Sequence, residues 1–251
     1  MSLRCVYTDL DGTLLGAGAS LFRDGDGEFT LLPARALEAC HRAGVEVVLK
    51  SGRRKAQVME DARLIGQASY IYEVGSGLVI DGEEQLLCGE FTPAGGKTPH
   101  QLIAATGAPA LLERELEIEP HTPWNVDRFV SHLYRGQTDV DRANELLARE
   151  GHAGLRLIDN GAADRGGHTY HLIPAVASKA AAVELHMRAR GYAPGECIAV
   201  GDSREDLGVA EVVGRFFLVA NGPDVTGPNV TRTESGHGEG FYEAVVSSLV
   251  G

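Results

Sequence analysis

Near the start of the chain, Asp9-Leu10-Asp11-Gly12-Thr13 follows a short β-prone run, Arg4 to Thr8. A turn after Asp9, which Gly12 favours, lets both carboxylates approach one ligand. One then suits a nucleophile that also ligates a metal, and the other a proton donor and acceptor. The same residues would also make an ordinary solvated acidic turn. Ser51-Gly52, after the run VEVVLK, offers a hydroxyl and backbone N–H groups to phosphate oxygens, although Ser-Gly at a strand end is commonly only a turn. Lys179 opens a helical stretch, where an ammonium and a helix N-terminus together attract a phosphate dianion. Last, Gly201-Asp202-Ser203-Arg204-Glu205-Asp206 follows the apolar run CIAV. Asp202, Glu205 and Asp206 repel one another unless something positive lies among them, and a hard divalent cation answers that need.

The elements that position these groups follow from periodicity. Arg4 to Thr8 predicts a first strand. The stretch PARALEACHRAG from Pro33 has helical spacing and stops at Gly44, a natural C-cap. Val45 to Leu49 predicts a second strand, Lys55 to Ile65 a helix and Tyr70 to Val74 a third strand. The rhythm returns with a helix over Ser178 to Arg190 and strands over Cys197 to Val200 and Phe216 to Val219. Alternating strands and helices imply an α/β fold, a Rossmann-like parallel sheet covered by helices. Each of the four pieces lies just past a strand end, where open α/β sheets bind ligands. Between the two halves the pattern changes to strand-like stretches, Arg128 to Leu133 and Leu155 to Ile158, with a helix over Asp139 to Glu150. This predicts an inserted smaller α+β domain over 82–167, with the core formed by 1–81 and 168–251. The stretches TPAGGKTP and NGAADRGG read as its entering and leaving loops.

Composition narrows the function. A chain of 251 residues with 43% hydrophobic content can bury a sizeable core. The net charge of −12 repels nucleic acid and anionic lipid surfaces. Cys5, Cys40, Cys88 and Cys197 lack the paired spacing of a zinc or redox motif and are expected as buried small hydrophobes. The first apolar run is too short and too soon charged for a secretory segment, and no stretch approaches the roughly 18 apolar residues of a spanning helix, so a cytoplasmic address is expected.

Taken in order, the four pieces resemble the four motifs of the haloacid dehalogenase superfamily, whose first motif is DxDGT; here it reads DLDGT. The resemblance implies a magnesium-dependent phosphomonoester hydrolase acting on a small phosphorylated metabolite. Asp9 would form an aspartyl-phosphate, and Asp11 would serve the leaving group as acid and water as base. Ser51, Gly52 and Lys179 would hold the phosphoryl group. Asp9, the main-chain carbonyl of Asp11 and Asp202 would surround magnesium, with Asp206 supporting them from the inner or outer shell.

An insertion between the second and third motifs resembles the α/β-capped sugar-phosphatase branch, including the Cof-like proteins. TDLDGTLL, YIYEVGSGLVI, GDSREDL and TESGHGEGFYEAV resemble mannosyl-3-phosphoglycerate and sucrose-phosphate phosphatases, which makes mannosyl-3-phosphoglycerate the favoured substrate. Glu205 stands where many relatives carry Asn, adding charge near the expected metal, and Gly75 to Gly77 reads GSG in place of an Asn-Gly pair. Arg114, His121, Trp124, Arg128, His132 and Arg135 are cap candidates for the cleft or for ordinary surface, and His168 and His171 are expected as structural. A phosphosugar mutase uses the same aspartyl-phosphate, and a metal-dependent glycosyltransferase also uses a DxD, though after a long nucleotide-binding unit. A non-catalytic protein on this fold is a third alternative, against which the presence of all the chemical groups argues.

Overall fold

The computed structural model describes residues 2–162 and 166–250. Strand β1, Cys5–Thr8, leads through a long loop into helix α1, Leu32–Ala43. Pro33 lies in the first turn of α1, where its missing N–H removes no helical bond, and Gly44 closes the helix at φ 67°. Strand β2, Glu46–Lys50, helix α2, Lys55–Leu64, and strand β3, Tyr70–Tyr72, continue the alternation, and β4, Gly77–Ile80, and β5, Glu83–Leu86, fold back beside them. Next come α3 (Pro99–Ala105), α4 (Ala108–Glu115), β6 (Ile118–Pro120), β7 (His132–Gly136), α5 (Val140–Arg149), β8 (Leu155–Ala162) and β9 (His168–Pro174). The chain ends with α6 (Lys179–Arg190), β10 (Cys197–Gly201), α7 (Arg204–Leu207), β11 (Arg215–Leu218), β12 (Val230–Arg232) and α8 (His237–Val250).

The large sheet has the order β12-β11-β10-β1-β2-β3-β4-β5, and the small one β6-β7-β9-β8. Every neighbouring pair from β12 to β3 is parallel, β4 and β5 are added antiparallel, and the small sheet is antiparallel throughout. Along β1, Cys5 and Tyr7 enter one layer with Ala182 and Phe216, while Val6 enters the other with Leu37 and Phe241. Strands covered on both faces need apolar side chains on both, so RCVYT and CIAV show no alternation. A separate core under the small sheet gathers Ile103, Leu112, Val130, Tyr134, Leu147 and Leu157. The α/β reading, a parallel sheet with a second α+β unit, describes this architecture.

Some expected elements differ. Arg128 to Leu133 is not one strand: β7 starts at His132, because the N–H groups of Phe129, Val130 and Ser131 bond to the side chain of Glu73 and not to a neighbouring strand. Strand β3 stops at Tyr72, where Glu73 and Val74 take φ of 47° and 59°. Their N–H groups turn back to the carbonyls of Arg53 and Ser51, which holds this strained turn in place. Glu83–Leu86 pairs in the large sheet and His168–Pro174 in the small one, so both sheet crossings fall a few residues beyond 82 and 167. In TPAGGKTP, Thr98 caps α3 by accepting from the Gln101 N–H. Strand β8 runs into NGAADRGG as far as Ala162, and 163–165 of that expected loop lie outside the described residues. All four cysteines are buried and unpaired, and among the described residues no helix is long and apolar enough to cross a membrane.

Candidate active site

Strands β1, β2 and β10 are adjacent and parallel, so the loops after their C-terminal ends share one edge of the sheet. Asp9 is at the tip of β1, where its N–H donates to the Val200 carbonyl at 3.1 Å. Asp202 follows β10, and its carboxylate accepts from the Thr13 hydroxyl at 3.0 Å. Gly12, at φ 81°, lies so close to Asp202 that a side chain there would overlap the carboxylate. Lys179 enters from the first turn of α6, with the Ser178 hydroxyl accepting from the Ala181 N–H as the helix cap. Gly75, at φ 83°, lets the turn after β3 press against the Ser178 carbonyl, which a side chain would displace. Lys179 Nζ donates to Asp9 Oδ1 at 2.7 Å and to Asp206 Oδ1 at 2.8 Å. Lys50, at the end of β2 and fully buried, donates to the same Asp206 oxygen, while Asp206 Oδ2 accepts from the Ser203 hydroxyl at 2.6 Å.

The charges do not balance evenly. Burial pushes Asp206 up, but Lys179 and Lys50 outweigh it and hold its carboxyl well below the usual range. Burial and the negative charge of Asp206 push Asp9 up to about 6 against the pull of Lys179. Burial, then Asp9 and Asp206, push Asp202 up to about 7. Asp206 thus takes most of the positive charge, and Asp9 and Asp202 are left facing each other with too little. Ligand oxygens of Asp9, Asp202 and Asp206 all lie within 4.8 Å of one another. Two ionisable carboxylates short of countercharge form a donor set that a hard divalent cation fits, and Asp206, with both oxygens occupied, stands behind them.

Ser51 is buried beside this cluster, its Oγ accepting from the Arg53 N–H at 3.2 Å. Asp11 is turned outward: Arg53 grips both of its oxygens, Nη2 to Oδ1 at 2.6 Å and Nε to Oδ2 at 2.8 Å. The loop bearing Ser51 and Gly52 is covered from the small-sheet side. A Cβ at Gly52 would lie 3.0 Å from His171 Nε2 and 3.2 Å from Asn160 Nδ2. Arg128 Nη1 donates to the Gly52 carbonyl at 3.1 Å, and Arg54 Nη1 to the Val126 carbonyl at 2.9 Å. Glu73, fully buried, accepts four bonds from the backbone of Phe129, Val130 and Ser131 and from the Ser131 hydroxyl. Burial, then Arg128, Lys179 and His121, hold His171 well below its usual range, and its buried Nδ1 has no hydrogen-bond partner.

No protein-family model matches the chain. Among curated relatives, a phosphoglycolate phosphatase of Methanoculleus marisnigri is 29% identical over 253 residues, spanning 97% of this chain and 95% of the relative. A phosphoglycolate phosphatase of Archaeoglobus fulgidus is 27% identical, spanning 96% and 95%. Among solved structures, the sucrose-phosphatase of Synechocystis sp. PCC6803, in complex with sucrose and phosphate, superposes with a TM-score of 0.73 at 17% identity over 99% of this chain and 98% of that one. A haloacid dehalogenase-like hydrolase of Bacteroides thetaiotaomicron superposes at 0.66 with 16% identity over 98% and 99%. The chain has the haloacid dehalogenase fold.

Of the residues expected at a haloacid dehalogenase site, the structure brings Asp9, Ser51, Gly52, Lys179, Asp202 and Asp206 to one place and points the Asp11 side chain towards Arg53. Glu205 does not crowd the acids: Arg156 of β8 pairs with it at 3.0 Å, so its charge faces the small sheet. His171, expected as structural, reaches over Gly52. Of the cap candidates, Arg128 touches the Ser51-Gly52 loop, Arg114 and Arg135 pair with Glu115 and Glu119 on the surface, and Trp124 is half exposed. His132 stacks on His100, and burial pushes it down to about 4. Lys50, Arg53, Glu73 and Asn160 also belong to this neighbourhood and are not expected from sequence. Lys50 alone left a signal, a lysine closing an otherwise apolar strand directly before Ser51.

Proposed function

We propose that the protein hydrolyses a small phosphomonoester carrying a carboxylate near its phosphate, with Asp9 as nucleophile. The chain is a phosphatase, as its near-full-length relatives are named. The observation that carries the mechanism is Asp9 buried between Lys179 and Asp202, with a carboxyl that burial pushes up to about 6. In this reading the large sheet with its helices is the catalytic core and the small one is the cap.

Asp9, Asp202 and the Asp11 carbonyl, with Asp206 behind, would hold magnesium, which when bound would supply the positive charge that lets a carboxylate meet a phosphate dianion. An Asp9 oxygen attacks phosphorus and the ester P–O bond breaks. Lys179 has three N–H donors, two of them given to Asp9 and Asp206; the third serves a phosphoryl oxygen, as do the Ser51 hydroxyl and the Gly52 N–H. Asp11 gives its proton to the leaving oxygen and then takes one from the water that splits the aspartyl-phosphate, which requires its bridge to Arg53 to open. Inorganic phosphate and an alcohol are the products.

The carboxylate preference comes from the cap. The positive charges of Arg128, Lys179 and His121 all act on His171, and His171 Nε2, Asn160 Nδ2 and Arg128 lie against Gly52, a setting that suits a second anionic group on the substrate. Phosphoglycolate and the mannosyl-3-phosphoglycerate favoured by the sequence both carry this pair of groups. Phosphoglycolate is our first choice, because relatives matching over nearly their whole length are named for it. Four buried, unpaired cysteines suit a reducing compartment, and we place the protein in the cytoplasm. The test is phosphate release from phosphoglycolate, mannosyl-3-phosphoglycerate, 3-phosphoglycerate and glucose 6-phosphate, with and without magnesium. Magnesium-dependent release that is fastest from a carboxylate-bearing ester supports the proposal. No release, transfer to an isomerised sugar phosphate, or fastest release from the neutral sugar ester contradicts it.

A further inference from the structure

At the opposite, N-terminal edge of the large sheet lies a second cluster that the phosphatase chemistry does not use. Cys197, Cys5 and Glu46 are register partners on β10, β1 and β2, each the first residue of its strand, so they form a row across three adjacent strands. His186 of α6 descends on this row. A ligand atom of each of Cys5, Glu46 and His186 lies within 4.8 Å of the other two, and Cys197, the register partner of Cys5, borders this trio from the next strand and buries its side chain in the same layer. Cys5 and His186 are fully buried, and Cys197 nearly so.

The orientation of His186 points to a ligand. Its Nδ1 is bonded to the Tyr7 hydroxyl at 2.7 Å, which fixes the ring. Its Nε2, buried and without a hydrogen-bond partner, faces Glu46 Oε1 at 3.5 Å. That distance is long for a hydrogen bond, yet it is close to the roughly 3.4 Å that separates two ligands of a tetrahedral ion with bonds of about 2.1 Å. An outer hydrogen bond on one ring nitrogen with the other left free is the usual dress of a ligating histidine.

We propose that Cys5, Glu46 and His186, with Cys197 as the fourth ligand, form a structural site for zinc that is separate from the phosphatase site. Two thiolates, an imidazole and a carboxylate are a donor set for zinc and not for magnesium, which takes oxygen ligands. The surroundings fit the charge. Arg190 Nη2 donates to Glu46 Oε1 at 3.0 Å and the Tyr192 hydroxyl to Oε2 at 2.9 Å, leaving lone pairs on the carboxylate for a metal. Arg190 also pairs with Asp81 at the rim. Two thiolates and Glu46 against a dication leave one negative charge, which Arg190 offsets. Bound there, zinc would tie the first residues of three strands to α6.

The test is the full chain expressed in minimal medium supplemented with cobalt(II) or zinc(II), as wild type and as Asp202→Asn, Cys5→Ser and His186→Gln. Wild type and Asp202→Asn are expected to retain one equivalent of zinc through gel filtration. Their cobalt forms should show a thiolate-to-cobalt charge-transfer band and tetrahedral d–d bands, both lost in Cys5→Ser and His186→Gln. The wild-type spectrum decides even if those variants fail to fold. A wild-type protein that takes up no cobalt, cobalt without a thiolate band, or a band that disappears in Asp202→Asn would overturn the proposal.

Discussion

The large-sheet and small-sheet surfaces that meet over Gly52 satisfy their polar groups in opposite ways. On the core side, both oxygens of Asp206 are occupied by Lys50, Lys179 and Ser203, and every one of these contacts is internal to the core. On the small-sheet side, Glu73 fixes the loop of Phe129 to Ser131, while His171 sets Nε2 over Gly52 and leaves its buried Nδ1 without a hydrogen-bond partner. A phosphoryl group is the same on every substrate, so the groups that handle it can be locked in advance. The rest of the substrate differs, and on our proposal it meets the less fully bonded small-sheet side.

The largest effect should come from the locked side. Asp9→Asn removes the nucleophile while preserving shape, and phosphate release should fall by on the order of 10⁴-fold with an unchanged circular dichroism spectrum; activity near wild type would break the contrast at once. Asp206→Ala should act on stability, because it leaves Lys50 buried without a carboxylate partner and Lys179 with Asp9 alone. Urea unfolding should show a loss of about 3–5 kcal/mol. A cap substitution should be milder and selective. His171→Ala should raise KM for phosphoglycolate about tenfold, with a much smaller change for glucose 6-phosphate, and equal changes for both would mean that the cap does not read the carboxylate. The smallest effect concerns pH. Asp9 and Asp202 are raised from an ordinary 3.8 to about 6 and about 7. Metal-free folded protein therefore binds more protons than unfolded protein between those values, and its stability should fall as pH rises from about 4 towards 7. Magnesium needs the ionised carboxylates, so the rise in Tm that it brings should grow over the same window. A magnesium effect independent of pH would count against these two acids as its ligands.

The same contrast governs what the sequence reveals. Asp9, Ser51 and Asp202 each follow a strand end, legible because β1, β2 and β10 are apolar on both faces and then give way to polar residues, and Lys179 opens α6, whose helical pattern is legible too. The role of Lys50 depends on a partner 156 residues away in sequence. Glu73 and His171 are harder still, since each acts across the boundary between two sheets whose relative placement no local periodicity encodes. The Arg128 to Leu133 stretch has strand-like composition, yet its first N–H groups are captured by Glu73. Long-range hydrogen bonding there overrides local propensity. Glu205 shows the converse, a charge that its neighbours in sequence place beside the acids and that Arg156 draws away.

The central claim is that Asp9 accepts the phosphoryl group, and acid-quench mass spectrometry during turnover of phosphoglycolate tests it most directly. With magnesium present, a phosphoryl adduct is expected on the peptide containing Asp9, absent in Asp9→Asn and released by hydroxylamine. Steady phosphate release with no adduct at any quench time, or an adduct on another residue, would contradict the account.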